Sequence, residues 1–353
     1  MSSAELPAAP TVSVILPVRR EGAEFVATLR RVLEQDYPAL TEVLVVDGMS
    51  DDDTREIVRN VARRHPRVRL LDNPRGIVPT AMNVGIVAAT GTILVRVDGH
   101  TRIRPDYVSR CVAALRASRA SCVGGRMDAV GETFVGRVVA AATSGPFGVG
   151  NSHFHYSDTA RFTETVYLGA WPKETLVRAG GFDEEMVRDQ DDELNYRLRK
   201  AGGTVWLDPA IRSEYTPRGS LAKLWSQYRQ YGLWKVRVFQ KHPAMMRWRH
   251  FVPAAFVLAA AASVGLALAV PWGRWLVAGG AAVYVAAAAA AAVATPAGAA
   301  ERLLMPIVFA TIHTAYGAGF LAGLVRFFPR WFQDRSGRGP SRDLASGLEE
   351  KRP

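Results

Sequence analysis

Hydrophobic and polar positions divide this chain into two regimes. Up to about residue 220, short apolar runs alternate with longer mixed stretches. The runs Val12–Leu16, Val43–Val46, Val68–Leu71 and Ile93–Val97 are rich in Val, Ile and Leu and bounded by turn residues, the pattern of strands buried on both faces. Between them, Gly22–Gln35, Asp52–Arg64 and Pro79–Ala89 have helical character, the second opened by the cap-forming Ser50-Asp51-Asp52-Asp53. Strands alternating with helices predict an α/β fold with a doubly wound, mainly parallel sheet. Such sheets bind ligands beyond the carboxyl ends of their strands, here Pro17–Glu21, Asp47–Asp51 and Asp98–His100.

Beyond residue 220 the pattern changes. Leu221–His242 combines Trp225, Tyr228, Tyr231, Trp234 and Phe239 with Lys223, Arg229, Lys235, Arg237 and Lys241. This is the composition of an interfacial amphipathic helix, and equally of an amphipathic helix packed on a core. Three apolar stretches follow, Phe251–Val270, Trp275–Ala294 and Leu303–Val325, and residues 251–300 carry one charged side chain, Arg274. Each is about the 20 residues that span a bilayer. Three spans are expected, although the basic residues before Phe251 and the arginines at 326, 330, 335, 338 and 342 would each favour the cytosolic side.

The predicted organisation is a flexible arm at 1–10 and two halves at 11–125 and 126–220, which a family resemblance carried by the motifs below implies are nucleotide-sugar-binding and acceptor-binding. An interfacial segment at 221–250, about three transmembrane helices within 251–325, and a basic flexible tail at 326–353 complete it.

The formal charge of +11 raises the possibility of nucleic acid. The basic residues form no stripe interleaved with stacking aromatics, however, and many flank the apolar tail, which argues for anionic headgroups and against nucleic acid. Cys111 and Cys122 are the two cysteines; without metal-type spacing they read as buried free thiols. Val12–Val18 is too short for a signal sequence, so the front domain is expected on the cytosolic side of a bacterial-type cytoplasmic membrane.

Candidate chemistry sits at the predicted strand ends. In Asp98-Gly99-His100, alternate residues of an extended chain point the same way, so a carboxylate and an imidazole can face one ion. That pair suits Mn²⁺ or Mg²⁺ bridging a diphosphate; the other reading of Asp98 is a turn residue. Asp47, before Gly48, offers a carboxylate to a base or ribose edge, or caps a helix. The segment Pro17–Glu21 lacks the GxGxxG that a dinucleotide pyrophosphate requires, which argues against a nicotinamide dehydrogenase. Asp191, Asp192 and Glu193 crowd a helix start; one of them facing the donor could accept a proton from a sugar hydroxyl, and otherwise they form a solvated acidic turn.

In order along the chain, Pro17-Val18-Arg19-Arg20-Glu21, Asp47-Gly48-Met49-Ser50-Asp51, Asp98-Gly99-His100, Gly180-Gly181-Phe182-Asp183-Glu184 and Asp191-Asp192-Glu193-Leu194-Asn195-Tyr196-Arg197 resemble the family 2 inverting glycosyltransferases. The likeness is in particular to the succinoglycan-type enzymes that extend lipid-linked exopolysaccharide. The resemblance implies a GT-A type fold in which Pro17, Arg19, Glu21, Asp47 and Asp98 bind the nucleotide and Asp98 with His100 holds a divalent cation. It places Asp191 where the family keeps its catalytic base, with Gln190 replacing the usual leading Glu, and His100 stands where many relatives carry Asp. Trp171, Asp192, Gln227 and Gln230 are assigned to the acceptor side. Gln227–Tyr231 resembles the Gln-x-x-Arg-Trp of processive synthases with Arg and Trp replaced, which implies no processivity. The expected donor is a UDP-sugar and the expected acceptor a hydroxyl of a glycan, such as one linked to polyprenyl diphosphate in the membrane. His313, alone in the last apolar stretch, would contact the lipid headgroup or pack between helices. Two further readings are transfer directly to polyprenyl monophosphate, which needs no base, and a non-catalytic nucleotide-binding membrane scaffold.

Overall fold

The first four apolar runs form β1 (Val12–Val18), β2 (Leu40–Asp47), β3 (Val68–Asp72) and β4 (Ile93–Arg96), separated by α1 (Phe25–Leu33), α2 (Thr54–Arg64) and α3 (Val78–Ala88). The computed structural model describes residues 6–332; the expected arm at 1–5 and the basic tail from 333 onward lie outside them. The described part of the arm is pinned rather than loose: Arg116 Nη2 donates to the Pro7 carbonyl at 2.7 Å and Tyr37 Oη to the Pro10 carbonyl at 2.7 Å. The helix expected from Gly22 opens as a 3₁₀ turn over Gly22–Glu24. At the start of α2 the Asp52 carboxylate accepts from the Thr54 N–H at 3.1 Å, while Asp53 makes no capping bond.

After β4 come β5 (Arg102–Ile103), α4 (Tyr107–Ser118), β6 (Cys122–Ala129), α5 (Phe134–Ala142), α6 (Pro146–Val149), β7 (Arg161–Phe162), β8 (Tyr167–Pro172), α7 (Lys173–Ala179), α8 (Gln190–Lys200) and β9 (Val205–Tyr215). Among the described residues the strands make one sheet of order β3-β2-β1-β4-β8-β6-β9-β5, with β7 on β9. The portion β3-β2-β1-β4 is parallel, as the strand–helix alternation predicts. From β8 onward the pairings of β8 with β4 and β6, and of β9 with β5 and β7, are antiparallel.

Strand β1 shows how the sequence divides the core. Val12, Val14, Leu16 and Val18 face one layer with Phe25, Leu29, Val58 and Val108. Ile15 faces the other, with Met82, Ile86, Leu176, Phe182 and Leu194. Burial on both faces replaces the polar alternation of a one-sided sheet by a continuous apolar run. Cys111 and Cys122 are buried free thiols, as expected.

The chain contains two compact units. Residues 6–128 and 152–215 form the sheet unit just described. The second unit comprises 129–151 and 216–332, with α9 (Leu221–Lys241), α10 (Val252–Ala269), α11 (Gly273–Ala294) and α12 (Ala299–Arg326). Helices α10, α11 and α12 are long and apolar enough to cross a membrane. In the apolar windows of α10 and α11 only 6% and 11% of residues are buried, against 44% in α12, so α12 is the packed centre.

Helix α9 lies along α12: a Cβ at Gly319 would sit 2.1 Å from the Arg229 carbonyl oxygen, so only glycine admits this approach. The segment 129–151, expected with the acceptor half, belongs to this unit. Val138, Val139 and Ala142 of α5 pack against Met305, Val308, Phe309 and Ile312 of α12. His313 makes a helix-packing contact in the same unit. Its Nε2 bonds the Phe147 carbonyl at 2.8 Å, which can only accept, so Nδ1 accepts from Tyr284 Oη at 2.9 Å.

Candidate active site

The order β3-β2-β1-β4 reverses direction between β1 and β4, and a crevice opens beyond the carboxyl ends of strands at such a switch. The motifs at the ends of β1 and β4 meet there. A Cβ on Gly99 would come within 2.8 Å of the Glu21 carboxylate, and His100 Nδ1 lies 3.7 Å from Glu21 Oε1. The loop carrying Glu21 is held by α2: Thr54 Oγ1 accepts from the Glu21 and Gly22 N–H groups at 3.0 Å each. Arg20, at φ 55°, donates its N–H to Ser50 Oγ at 2.8 Å. Arg19 lies across Gly48 and reaches the Gly76 carbonyl at 3.2 Å. Pro17 is buried in β1 opposite Val46.

Asp47 is the residue expected to offer its carboxylate to the nucleotide or to cap the following helix. Its side chain is wholly covered. One oxygen accepts from Ser50 Oγ at 2.5 Å, the other from the Ser50 N–H at 2.9 Å and from Arg55 Nη1 at 2.7 Å. Arg55 Nη2 continues to Asp72 at 2.7 Å. Asp47 therefore shapes the loop after β2, and the side chains exposed beside it are Met49 and Asp72.

The other carboxylates converge on a residue the motifs did not single out. Arg96, 4% exposed at the end of β4, directs Nε and Nη2 to the two oxygens of Asp98 at 2.7 and 3.2 Å, and Nη1 to Asp191 Oδ1 at 2.5 Å. A charge inside an otherwise apolar strand is the signal that could have revealed it, because buried arginines are paired. Asp191 stands in the first turn of α8. Burial pushes its carboxyl up to about 6, against the pull of Arg96 and with repulsion from Asp98 and Asp192. The remainder of the motif is structural: Glu193, 1% exposed, is gripped by Arg197 at 2.6 and 2.8 Å, and Arg197 also donates to the Gly181 carbonyl at 2.7 Å. Tyr167, on β8, bonds Thr101 Oγ1 at 2.8 Å, three residues beyond Asp98; burial holds its phenol well above the usual range.

Asp98 and His100 offer one carboxylate and one imidazole, with 17% and 52% of their side-chain surface open. Among the described residues no three His, Cys, Asp or Glu side chains gather as a metal cage. Two protein ligands of this chemistry fit a divalent cation that takes its other ligands from a diphosphate and water. Trp171, expected on the acceptor side, is 1% exposed in the core, its ring edge-on to Phe182. Asp192 is half-buried beside Asp191. Gln227 and Gln230 belong to α9 in the other unit, where Gln227 bonds Tyr231 Oη at 2.9 Å.

Residues 13–183 match the sequence profile of glycosyl transferase family 2. The succinoglycan biosynthesis protein ExoA of Rhizobium meliloti (strain 1021) is 31% identical over 93% of this chain and 98% of its own length. A dolichyl N-acetyl-alpha-D-glucosaminyl phosphate 3-beta-D-2,3-diacetamido-2,3-dideoxy-beta-D-glucuronosyltransferase of Methanococcus voltae is 25% identical over 67% of this chain and 76% of its own. Among solved structures, the mannosyltransferase PcManGT of Pyrobaculum calidifontis, in complex with GDP-Man and Mn²⁺, superposes with a TM-score of 0.61 at 22% identity, covering 91% of this chain and 89% of that one. The last likeness establishes the GT-A type fold. With a strand-switch crevice of this design and a full-length relative at that identity, the chain is a glycosyltransferase and belongs to glycosyl transferase family 2.

Proposed function

We propose that this glycosyltransferase moves a sugar, with inversion, from a UDP-sugar to a hydroxyl of a polyprenyl-diphosphate-linked glycan. The product belongs to exopolysaccharide or cell-envelope glycan synthesis, and the reaction runs at the cytosolic face of the membrane. The observation that carries this is Asp191: a partly buried carboxyl, raised to about 6 and linked through one guanidinium to Asp98 at the strand-switch crevice. A base with a value just below neutral is ionised at working pH and still takes a proton readily. Two relatives, one named for succinoglycan biosynthesis and one for transfer to a dolichyl-phosphate-linked sugar, support the lipid-linked acceptor. The three long apolar helices support the membrane setting.

In this reading Pro17, Arg19 and Glu21 line the nucleotide's side of the crevice and Asp47 holds its floor. The acceptor oxygen approaches the anomeric carbon opposite the diphosphate, and Asp191 takes the hydroxyl proton as the new C–O bond forms and the bond to the diphosphate breaks. A divalent cation, Mn²⁺ or Mg²⁺, held by Asp98 and His100 would supply positive charge to the leaving diphosphate. Asp192 is assigned to the acceptor.

The test is nucleotide release by detergent-solubilised protein from a panel of UDP-, GDP- and other nucleotide sugars, with and without Mn²⁺ or Mg²⁺, with a polyprenyl-diphosphate-linked glycan as acceptor. Metal-dependent release from a UDP-sugar, lost in Asp191→Asn while donor binding persists, is the expected result. Transfer onto polyprenyl monophosphate that survives Asp191→Asn would overturn the hydroxyl acceptor, and release from a GDP-sugar alone would overturn the donor.

A further inference from the structure

Arg96 is a buried charge to which the reaction above gives no task. It is 4% exposed, in a strand whose other residues are apolar. One guanidinium serves two carboxylates that the backbone does not otherwise join: Asp98, two residues on, and Asp191, ninety-five residues on in α8. The fork geometry matters. Nε, Nη1 and Nη2 share one rigid plane, with Nε and Nη2 committed to Asp98 and Nη1 to Asp191. A turn of the Asp98 carboxylate therefore tilts the plane and carries the Asp191 bond with it. A lysine in the same place would present one point charge and could not hold both partners in a fixed relation.

We propose that Arg96 is a positioning residue that transmits engagement of the donor's diphosphate at Asp98 to the orientation of Asp191, so that the proton acceptor is aimed only when the donor is in place. The inference rests on the assignment of Asp98 to the donor and Asp191 to the acceptor proton. It implies ordered use of the site, donor before acceptor. The residue acts through Asp191 and touches neither reacting atom.

The experiment is a double-substitution cycle on the full-length, detergent-solubilised enzyme: wild type, Arg96→Lys, Asp191→Asn and the pair. Transfer kcat, donor KM and the number of donor-binding sites by titration are read for each. Arg96→Lys is expected to lower kcat about 100-fold, the scale of a small misplacement at a reacting centre, while donor KM stays within about threefold. In the Asp191→Asn background the same replacement should cost less than about threefold more, because the residue through which it acts is already gone. Arg96→Gln, which keeps hydrogen-bond donors without the charge, provides the same cycle should the lysine variant not fold.

Losses that multiply across the cycle would overturn the proposal. So would a kcat loss matched by an equal loss of donor-binding sites, which marks damage to the fold, or wild-type kcat in Arg96→Lys. Wild-type transfer in Asp191→Asn alone would instead overturn the assignment of Asp191, and that single variant shows it before the cycle is closed.

Discussion

The raised carboxyl of Asp191 has a direct kinetic consequence. Its value of about 6, against 3.8 for an ordinary aspartate, comes first from burial and then from the balance of Arg96 against Asp98 and Asp192. For a base at that value, the ionised and active fraction is about 9% at pH 5 and about 91% at pH 7. Activity should therefore fall about tenfold as pH drops from 7 to 5, since protonation removes the acceptor for the hydroxyl proton. An unperturbed aspartate would still be about 94% ionised at pH 5, and the same interval would be nearly flat. The parameter to follow is kcat/KM for the acceptor at saturating donor, which reports groups of the donor-bound enzyme. It is measured by nucleotide release in detergent between pH 5 and 8 at constant ionic strength and a fixed excess of Mn²⁺. Residual activity of Asp191→Asn should lack the acid limb. A flat wild-type profile between pH 5 and 7, or a limb that persists unchanged in Asp191→Asn, would refute the reasoning.

Other consequences can be checked on the same protein. Asp98→Ala removes the carboxylate assigned to the diphosphate and the bidentate partner of Arg96; metal-dependent turnover should fall by at least about 100-fold, read by nucleotide release with and without Mn²⁺. Arg55→Leu strips the counter-charge from the wholly covered Asp47 and should cost about 3 kcal/mol. Urea denaturation followed by tryptophan fluorescence gives the number, and an unchanged midpoint would show that Ser50 alone satisfies the carboxylate. Gly125→Ala places a Cβ 1.9 Å from the Ile211 carbonyl oxygen in β9, so β6 must shift, and a loss of about 2 kcal/mol is expected. Gly279→Ala in α11, where the Cβ meets nothing within 4 Å, should leave thermal stability within about 1 kcal/mol.

Much of the architecture was written locally. The runs at Val12, Val43 and Ile93 are mostly apolar because their strands are covered on both faces, whereas β3 at the sheet edge carries Arg69 and is only partly buried; that composition announced strands and a doubly wound α/β fold before any contact was known. The same holds for the three long helices, since about 20 uninterrupted apolar residues have few other uses. Once the strands alternated with helices, the positions of Glu21, Asp98 and His100 at strand ends followed, and with them the crevice in which to look.

What lay beyond the sequence was partnership. Periodicity tells a side chain which face it occupies, but not which residue ninety-five positions away shares that face, so the guanidinium joining Asp98 to Asp191 was invisible. The sequence left Asp47 between a nucleotide contact and a cap, and only the fold shows Ser50 and Arg55 bonding its carboxylate. Trp171, assigned to the acceptor side from the sequence, fills the core beside Phe182. The apolar face of α5 could have served either unit; its partner was chosen by the matching face of α12. In each case the side chain's chemistry was fixed by its covalent identity, whereas its role depended on burial and on neighbours distant in the chain, which exist only once the chain has folded.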